Sequence, residues 1–342
     1  MFDPKYTISS KLLENIKKIS TLIYALNNKK FSKVVLMELV KRAHEISAHA
    51  STSIEGNPLP LTEVKRIIKT NPKNIRDSER EVLNYNNALI RLEKVIRNKD
   101  LKFDLDFVLE IHKAVTQGLI SSSHCGKLRK EAVFVNDPSR RKAVYWPPDN
   151  QDMKSLMRDL LVFVAENKRE IDPLILAGIF HKQFVIIHPF MDGNGRTVRL
   201  ATKILLSAMG LNTFNLFSFE NYYNQNVSKY FSKVGVEGNY YDIYERVDFT
   251  HWLEYFTDGI IDELLRVAKI LEKRNITPKT IVKPHHQKIL DYIKEHDFTT
   301  DKIYSEMTDR AKATRNQDFN RLIDMGLIER VGKGKATIYR LK

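Results

Sequence analysis

The sequence predicts a mainly α-helical protein, and three observations carry that expectation. Apolar residues recur at spacings of three and four through most of the first 190 positions, the period of one face of an α-helix. One stretch, residues 131–148, breaks that rhythm with the two-residue alternation of a strand pair. A second strand, turn and strand close the chain behind three short helical segments.

Residues 11–26, 34–52, 61–69, 77–97, 104–118, 152–167 and 172–186 each carry the helical spacing. Pro58, Pro60, Pro72 and Pro173 fall at the edges of these segments, where a fixed φ and a missing N–H are tolerated. In the interruption, Ala132-Val133-Phe134-Val135 and Ala143-Val144-Tyr145-Trp146 flank a polar Asn-Asp-Pro-Ser turn and read as a β-hairpin. Residues 271–284 end at Lys283-Pro284 and read as a hinge. Beyond it come helical segments near 286–295, 300–307 and 311–325, then strands at Leu327–Val331 and Thr337–Leu341 around Gly332-Lys-Gly-Lys335. The expected organisation is a helical region over 1–100, a central domain over 101–270, a linker over 271–284 and a small module over 285–342.

At 342 residues the chain can bury a full core, and no run approaches the ~20 apolar residues of a membrane span. With a single cysteine, Cys125, an internal disulfide framework and a cysteine-rich zinc site are both excluded. No hydrophobic secretory segment follows Met1, so a cytoplasmic location is expected. The net charge of +14 suits ATP, nucleic acid or an acidic protein surface. Residues 1–100 carry 19 Lys/Arg against 11 Asp/Glu, whereas 285–342 carry 12 against 9, so the excess lies away from the segment that could read DNA.

The most informative segment runs His188-Pro-Phe-Met-Asp-Gly-Asn-Gly-Arg-Thr-Val-Arg199. Ile204, Leu205 and Leu206 follow it as good helix formers, so Gly193–Arg196 is expected to be the loop entering a helix N-terminus. Successive N–H groups there, with the helix dipole behind them, make an anion site. Gly193 and Gly195 allow a pyrophosphate to approach the backbone, Asn194 sits between them, and Arg196 and Arg199 supply forks for phosphate oxygens. Asp192 is a hard oxygen ligand suited to Mg²⁺. His188 titrates near neutrality and can take a proton from an attacking hydroxyl. Phe190 and His181 read as core residues, as do Trp252 and Phe256. The segment is not a Walker A loop, because no Gly-Lys-Ser/Thr closes it.

Every position of the signature His-Pro-Phe-x-Asp/Glu-Gly-Asn-Gly/Lys-Arg-x-x-Arg is filled, and on these residues the chain resembles the Fic family (filamentation induced by cAMP). Most members transfer AMP from ATP to a hydroxyl of a target protein, so the resemblance implies a protein adenylyltransferase with His188 as base and Mg²⁺ on Asp192. It implies a helical Fic core whose hairpin at 131–148 is the flap on which a target protein docks. Gly126-Lys-Leu-Arg129 resembles the family's lead-in to that flap, with Arg129 structural. Ser51-Thr-Ser-Ile-Glu55-Gly56 resembles the inhibitory pattern of regulated members, and Ser51 and Glu55 share one face of a helix. Glu55 is then expected to pair with Arg199 where the γ-phosphate would sit, or to position a water for removal of AMP. Asn226 and Tyr230 are the nearest match to an element that borders the adenine in relatives. The tail resembles a winged helix-turn-helix. As a DNA reader it would use Arg310, Lys312 and Arg315 with Lys333 and Lys335 on the wing, although Asp309, Asp318 and Asp324 interleave with them. A second copy of the chain and DNA are the further candidate partners. The rival function is a DNA-binding transcriptional regulator whose Fic core only senses nucleotide.

Overall fold

The helical period produces α1 Ser10–Asn27, α2 Lys33–Ile54, α3 Leu61–Thr70, α4 Asp77–Ile96 and α5 Leu105–Thr116 before any strand forms. There follow β1 Val135–Asp137, β2 Lys142–Trp146, α6 Met153–Asn167, α7 Pro173–Ile187, α8 Asn194–Leu206, α9 Glu220–Gln225 and α10 Val227–Val234. Next are β3 Gly238–Asn239, α11 Tyr240–Ile243, α12 Thr250–Glu272 and α13 Pro284–His296, then α14 Asp301–Glu306, α15 Lys312–Asp324, β4 Ile328–Val331 and β5 Ile338–Leu341. This computed structural model describes residues 2–29, 31, 33–96, 102–137, 142–272, 282–332, 334 and 337–342. The expected linker lies largely outside the described residues, as do Lys333, Lys335 and part of the hairpin turn. Among the described residues no helix is long and apolar enough to cross a membrane.

Two compact units result, residues 1–28 with 43–268 and residues 29–42 with 269–342. The first is built around α7. Asp172 caps it by accepting from the Leu174 N–H at 2.8 Å, and Pro173 supplies its first turn. Nearly every α7 side chain is buried, as a helix apolar on all faces must be, and α6 and α8 pack against it. Trp252 and Phe256 of α12 are fully buried, and the Trp252 indole donates to the Gly178 carbonyl of α7 at 2.7 Å. That approach needs a glycine, since a Cβ at Gly178 would stand 2.6 Å from Leu253. The α1 helix lies along α12, where Asn15 donates to Thr257 at 3.0 Å and to Asp258 at 2.8 Å.

The hairpin is present, but its first strand is shorter and later than the alternation suggests, and its second begins one residue earlier, at Lys142. The ladder pairs Val135 with Tyr145, Asn136 with Ala143 and Asp137 with Lys142, with an irregularity after Val135. That irregularity takes residues 132–134 out of register. Residues Gly238–Asn239 add a third strand parallel to β2, leaving β1 at an edge.

In the second unit, α13, α14 and α15 pack with the antiparallel β4–β5 hairpin around Ile289, Leu290, Tyr304, Phe319 and Tyr339. Thr299 exchanges two backbone hydrogen bonds with Tyr339 at 2.8 Å, and the Phe319 and Tyr339 rings stack at 3.8 Å. Met37, near the N-terminal end of α2, packs on the same core.

Candidate active site

The α7 helix ends on a strained residue. His188 takes the left-handed conformation, φ 50° and ψ 59°, while its N–H still donates to the Phe184 carbonyl at 3.0 Å. A side chain rarely stays there unless its surroundings hold it. The buried Arg129 does the holding. Its Nε donates to the His188 carbonyl at 2.9 Å, its Nη1 to the Glu131 carbonyl at 3.1 Å, and its Nη2 to the Pro148 carbonyl. One guanidinium thus ties the motif to both ends of the flap, the structural role its position in the sequence suggested. Burial pulls the His188 imidazole down to about 4, and the opposing pull of the Val185 carbonyl and of Glu55 and Asp192 does not restore it. His188 is therefore neutral at physiological pH and able to accept a proton.

After Pro189 the chain turns into α8, which begins at Asn194, earlier than the expected loop over 193–196 allows. Asn194 holds the turn closed by accepting from the Phe190 N–H at 2.9 Å and donating to the Phe190 carbonyl at 2.8 Å. Its amide serves the loop itself. Beneath the loop, Phe190 is fully buried and stacked on His112 at 3.7 Å. The Gly126 N–H donates to His112 Nδ1 at 2.9 Å, so Nε2 carries the hydrogen and donates to the Asp192 carbonyl at 2.9 Å. Burial brings His112 to about 4, which keeps it in that neutral tautomer. His112 escaped the sequence reading because a histidine inside a helical stripe looks like any core histidine.

The two charged residues of the turn serve each other. Asp192 accepts from Arg196 Nη2 at 3.1 Å and, through Oδ1, from the Gly193 N–H, while its side chain remains 57% exposed. Arg196 is buried and also binds Glu81 of α4, Nη1 to Oε1, at 2.8 Å. Glu81 in turn accepts from the Asn57 amide at 2.6 Å. A guanidinium so placed balances the carboxylates of the loop and of α4. Glu81 had no motif to announce it.

The expected pairing of Glu55 with Arg199 is present. The α2 helix stops at Ile54, and Gly56, at φ 93°, carries the chain away. Arg199 is wholly buried. Its Nε donates to the Ser51 hydroxyl at 2.8 Å, and its Nη2 to the Ser51 carbonyl at 2.8 Å and to Glu55 Oε1 at 2.7 Å. Burial weakens its charged form, but Glu55 outweighs that and raises its affinity for the proton above the ordinary arginine level. Nη1 is buried with no partner among the described residues. The Glu55 carboxylate lies so close to Gly195 that a Cβ there would fall upon it. Glu55 therefore covers the first turn of α8, the site that N–H geometry marks for an anion.

Asn226 and Tyr230 behave differently from the rest. Asn226 is exposed and caps α10 by accepting from the Lys229 N–H at 3.0 Å. Tyr230 is buried, with its hydroxyl 3.0 Å from His181 Nε2 and its ring stacked on Tyr223 at 4.6 Å. His181 is a structural histidine, its other nitrogen 3.0 Å from the Thr202 hydroxyl. Tyr230 belongs to the core beside Arg199. On the flap, Tyr145 points inward and donates to the Ile186 carbonyl at 2.8 Å, while Phe134 and Trp146 stand exposed.

Residues 102–206 match the Fic/DOC family model, a span that holds His112, the flap and the whole motif. The chain carries a Fic domain. Protein adenylyltransferase Fic of Nematostella vectensis is 30% identical over 175 residues, covering 50% of this chain and 39% of that protein. Its namesake in Aedes aegypti is 27% identical over 221 residues, 59% of this chain and 42% of that protein. The chain thus spans about two fifths of the length of these curated relatives. A Fic family protein from Desulfovibrio desulfuricans superposes on all of the chain and 98% of itself with a TM-score of 0.66 at 20% identity. A Fic domain containing signalling protein from Bacteroides thetaiotaomicron superposes on 77% of the chain with a TM-score of 0.62 at 17% identity. These likenesses establish the mainly α Fic fold.

Proposed function

We propose that the chain is an autoinhibited protein adenylyltransferase, moving AMP from ATP to a Ser, Thr or Tyr hydroxyl of a target protein and releasing pyrophosphate. The curated relatives bear that activity in their names, and the geometry supports the same reading here. The observation that carries it is the Glu55 carboxylate lying over Gly195 and paired with Arg199. An anion occupying the N-terminal turn of α8 is what a nucleotide phosphate would have to displace.

With Glu55 withdrawn, the phosphates rest on the α8 N-terminus, and Arg199 turns its fork, including the unpartnered Nη1, toward the γ-phosphate. Asp192 suits Mg²⁺, being one half-exposed carboxylate of the kind the ion takes beside phosphate and water oxygens. Bound there, the ion would neutralise phosphate charge. Neutral His188 accepts the hydroxyl proton as the oxygen attacks the α-phosphorus, and the bond to pyrophosphate breaks on the opposite side. The bulge-ended edge strand β1, with exposed Phe134 and Trp146 nearby, offers the target backbone pairing and apolar contact.

The test is autoadenylylation from labelled ATP by wild type, Glu55→Gly and Arg199→Ala. Both substitutions break the ion pair, yet Glu55→Gly is expected to raise transfer tenfold or more and Arg199→Ala to abolish it. Equal rates for wild type and Glu55→Gly would remove the inhibition and favour Glu55 as the group that positions water for AMP removal. We propose a winged-helix role for the second unit as well. Arg310 and Arg315 are paired with Asp318 and Asp301, at 2.7 and 2.8 Å, which withdraws two cations the DNA-regulator alternative needs.

A further inference from the structure

In the second unit, far along the chain from the Fic motif, two adjacent imidazoles at the start of α13 converge on one carboxylate of α15. His285 Nε2 and His286 Nε2 stand 3.3 and 3.2 Å from the same oxygen, Asp318 Oδ1, and the ligand atoms of all three lie within 4.8 Å of one another. We propose that His285, His286 and Asp318 form a site for a zinc-class divalent cation, with a water as fourth ligand.

The distances support this assignment. A tetrahedral ion with bonds of about 2.0–2.1 Å separates its ligand atoms by about 3.3–3.4 Å. The same separations lie at the long end of N–H···O hydrogen bonds, so the three groups can pair directly or share an ion. The two oxygens of Asp318 differ in this respect. Oδ2 is held firmly, by the Tyr304 hydroxyl at 2.9 Å and Arg310 Nε at 2.7 Å. Among the described residues Oδ1 meets longer contacts, the two imidazoles at 3.3 and 3.2 Å and Arg310 Nη2 at 3.2 Å. Tyr304 and Arg310 therefore fix the carboxylate from one side and leave its other oxygen aimed between two nitrogens. Such outer hydrogen bonds orient metal-binding carboxylates.

The donor set fits the ion class. Two nitrogens and one oxygen suit Zn²⁺ and its neighbours, whereas Mg²⁺ and Ca²⁺ ask for oxygen alone. Asp318 and His286 are buried while His285 is partly open, giving a closed site with one accessible edge. The guanidinium of Arg310 leaves the cluster less anionic than a dicarboxylate site, which favours moderate affinity.

The experiment adds Co²⁺, then Zn²⁺, to the full chain freed of metal by a chelator. One equivalent of Co²⁺ is expected to give the strong visible absorption of a tetrahedral nitrogen–oxygen site, and Zn²⁺ to quench it and raise the melting temperature. His285→Ala alters only a half-exposed ligand, so its fold can be verified by circular dichroism. It should weaken Co²⁺ binding by tenfold or more, and Asp318→Asn should do the same. A full chain that develops no such absorption, or an unchanged titration in His285→Ala, would overturn the site and leave a hydrogen-bonded cluster. Neither readout depends on nucleotide transfer.

Discussion

His188 combines strain, burial and an unpaired nitrogen. It occupies a left-handed backbone well and its Nδ1 is buried without a hydrogen-bond partner among the described residues. Replacing it with Ala is expected to lower AMP transfer by roughly 10²–10⁴ while ATP affinity stays within a few-fold, because the imidazole moves a proton and does not carry phosphate. Binding and single-turnover transfer measured side by side check this, and comparable transfer by the variant would exclude His188 as base. The pH profile should follow the depressed value. Activity in the Glu55→Gly background is expected to hold as the pH falls below 6.5 and to drop only on approach to about 4, where His188 takes up its proton. A second residue follows from the same neighbourhood. Glu81 shares buried Arg196 with the more exposed Asp192, so removing Glu81 strips the guanidinium of its more buried partner. Glu81→Ala should therefore lower the stability seen in denaturant unfolding, whereas Glu63→Ala, on an exposed pair, should change it little.

At the scale of elements, α2 and the flap each hang on one arginine, Arg199 and Arg129. Ser51 and Glu55 meet Arg199 because i and i+4 share a helix face, which the sequence spacing already showed. Ser51→Ala removes one hydrogen bond to a buried charge, worth about 1.5–3 kcal/mol, and leaves the Glu55 pair in place. Its basal autoadenylylation should lie between wild type and Glu55→Gly. A rate at or above that of Glu55→Gly would mean that the helix, and not the carboxylate, blocks the site. The ends of α7 were legible too, since Asp172-Pro173 opens it and His188-Pro189 closes it. Other elements were not. The two-residue β3 has no period to detect, and the bulge after Val135 shifts β1 away from the alternation that announced it. The partners of Arg196 and Asp192 were equally hidden, because Glu81 and His112 come from helices whose approach only the tertiary fold decides. Motif residues revealed what they are, but not which of them face inward. Asn194 and Tyr230 are turned toward the loop and the core.

For the whole molecule, buried histidines and the shared helix α2 each carry a consequence. His112 and His188 are held at about 4 against 6.5 in the unfolded chain, so from pH 6.5 toward 4 the unfolded state binds protons that the folded state refuses. Stability is expected to fall through that window, with Glu263, pushed up to about 7 by burial, offsetting part of the loss. Melting curves across the range check the direction, and Glu263→Gln should make the fall steeper. The helix α2 belongs to both units: residues 29–42 group with the C-terminal one and residues from Ala43 onward with the Fic unit. Met37 lies on the core of α13–α15, and Glu55 follows at the other end of the same secondary element. Removing residues 285–342 strips Met37 of its packing and leaves His188, Asp192, Arg199 and Glu55 in place. In the Glu55→Gly background the truncated chain should therefore keep autoadenylylating, since every catalytic candidate lies upstream. A soluble, monodisperse truncation that is inactive in the Glu55→Gly background would make the second unit part of the catalytic assembly.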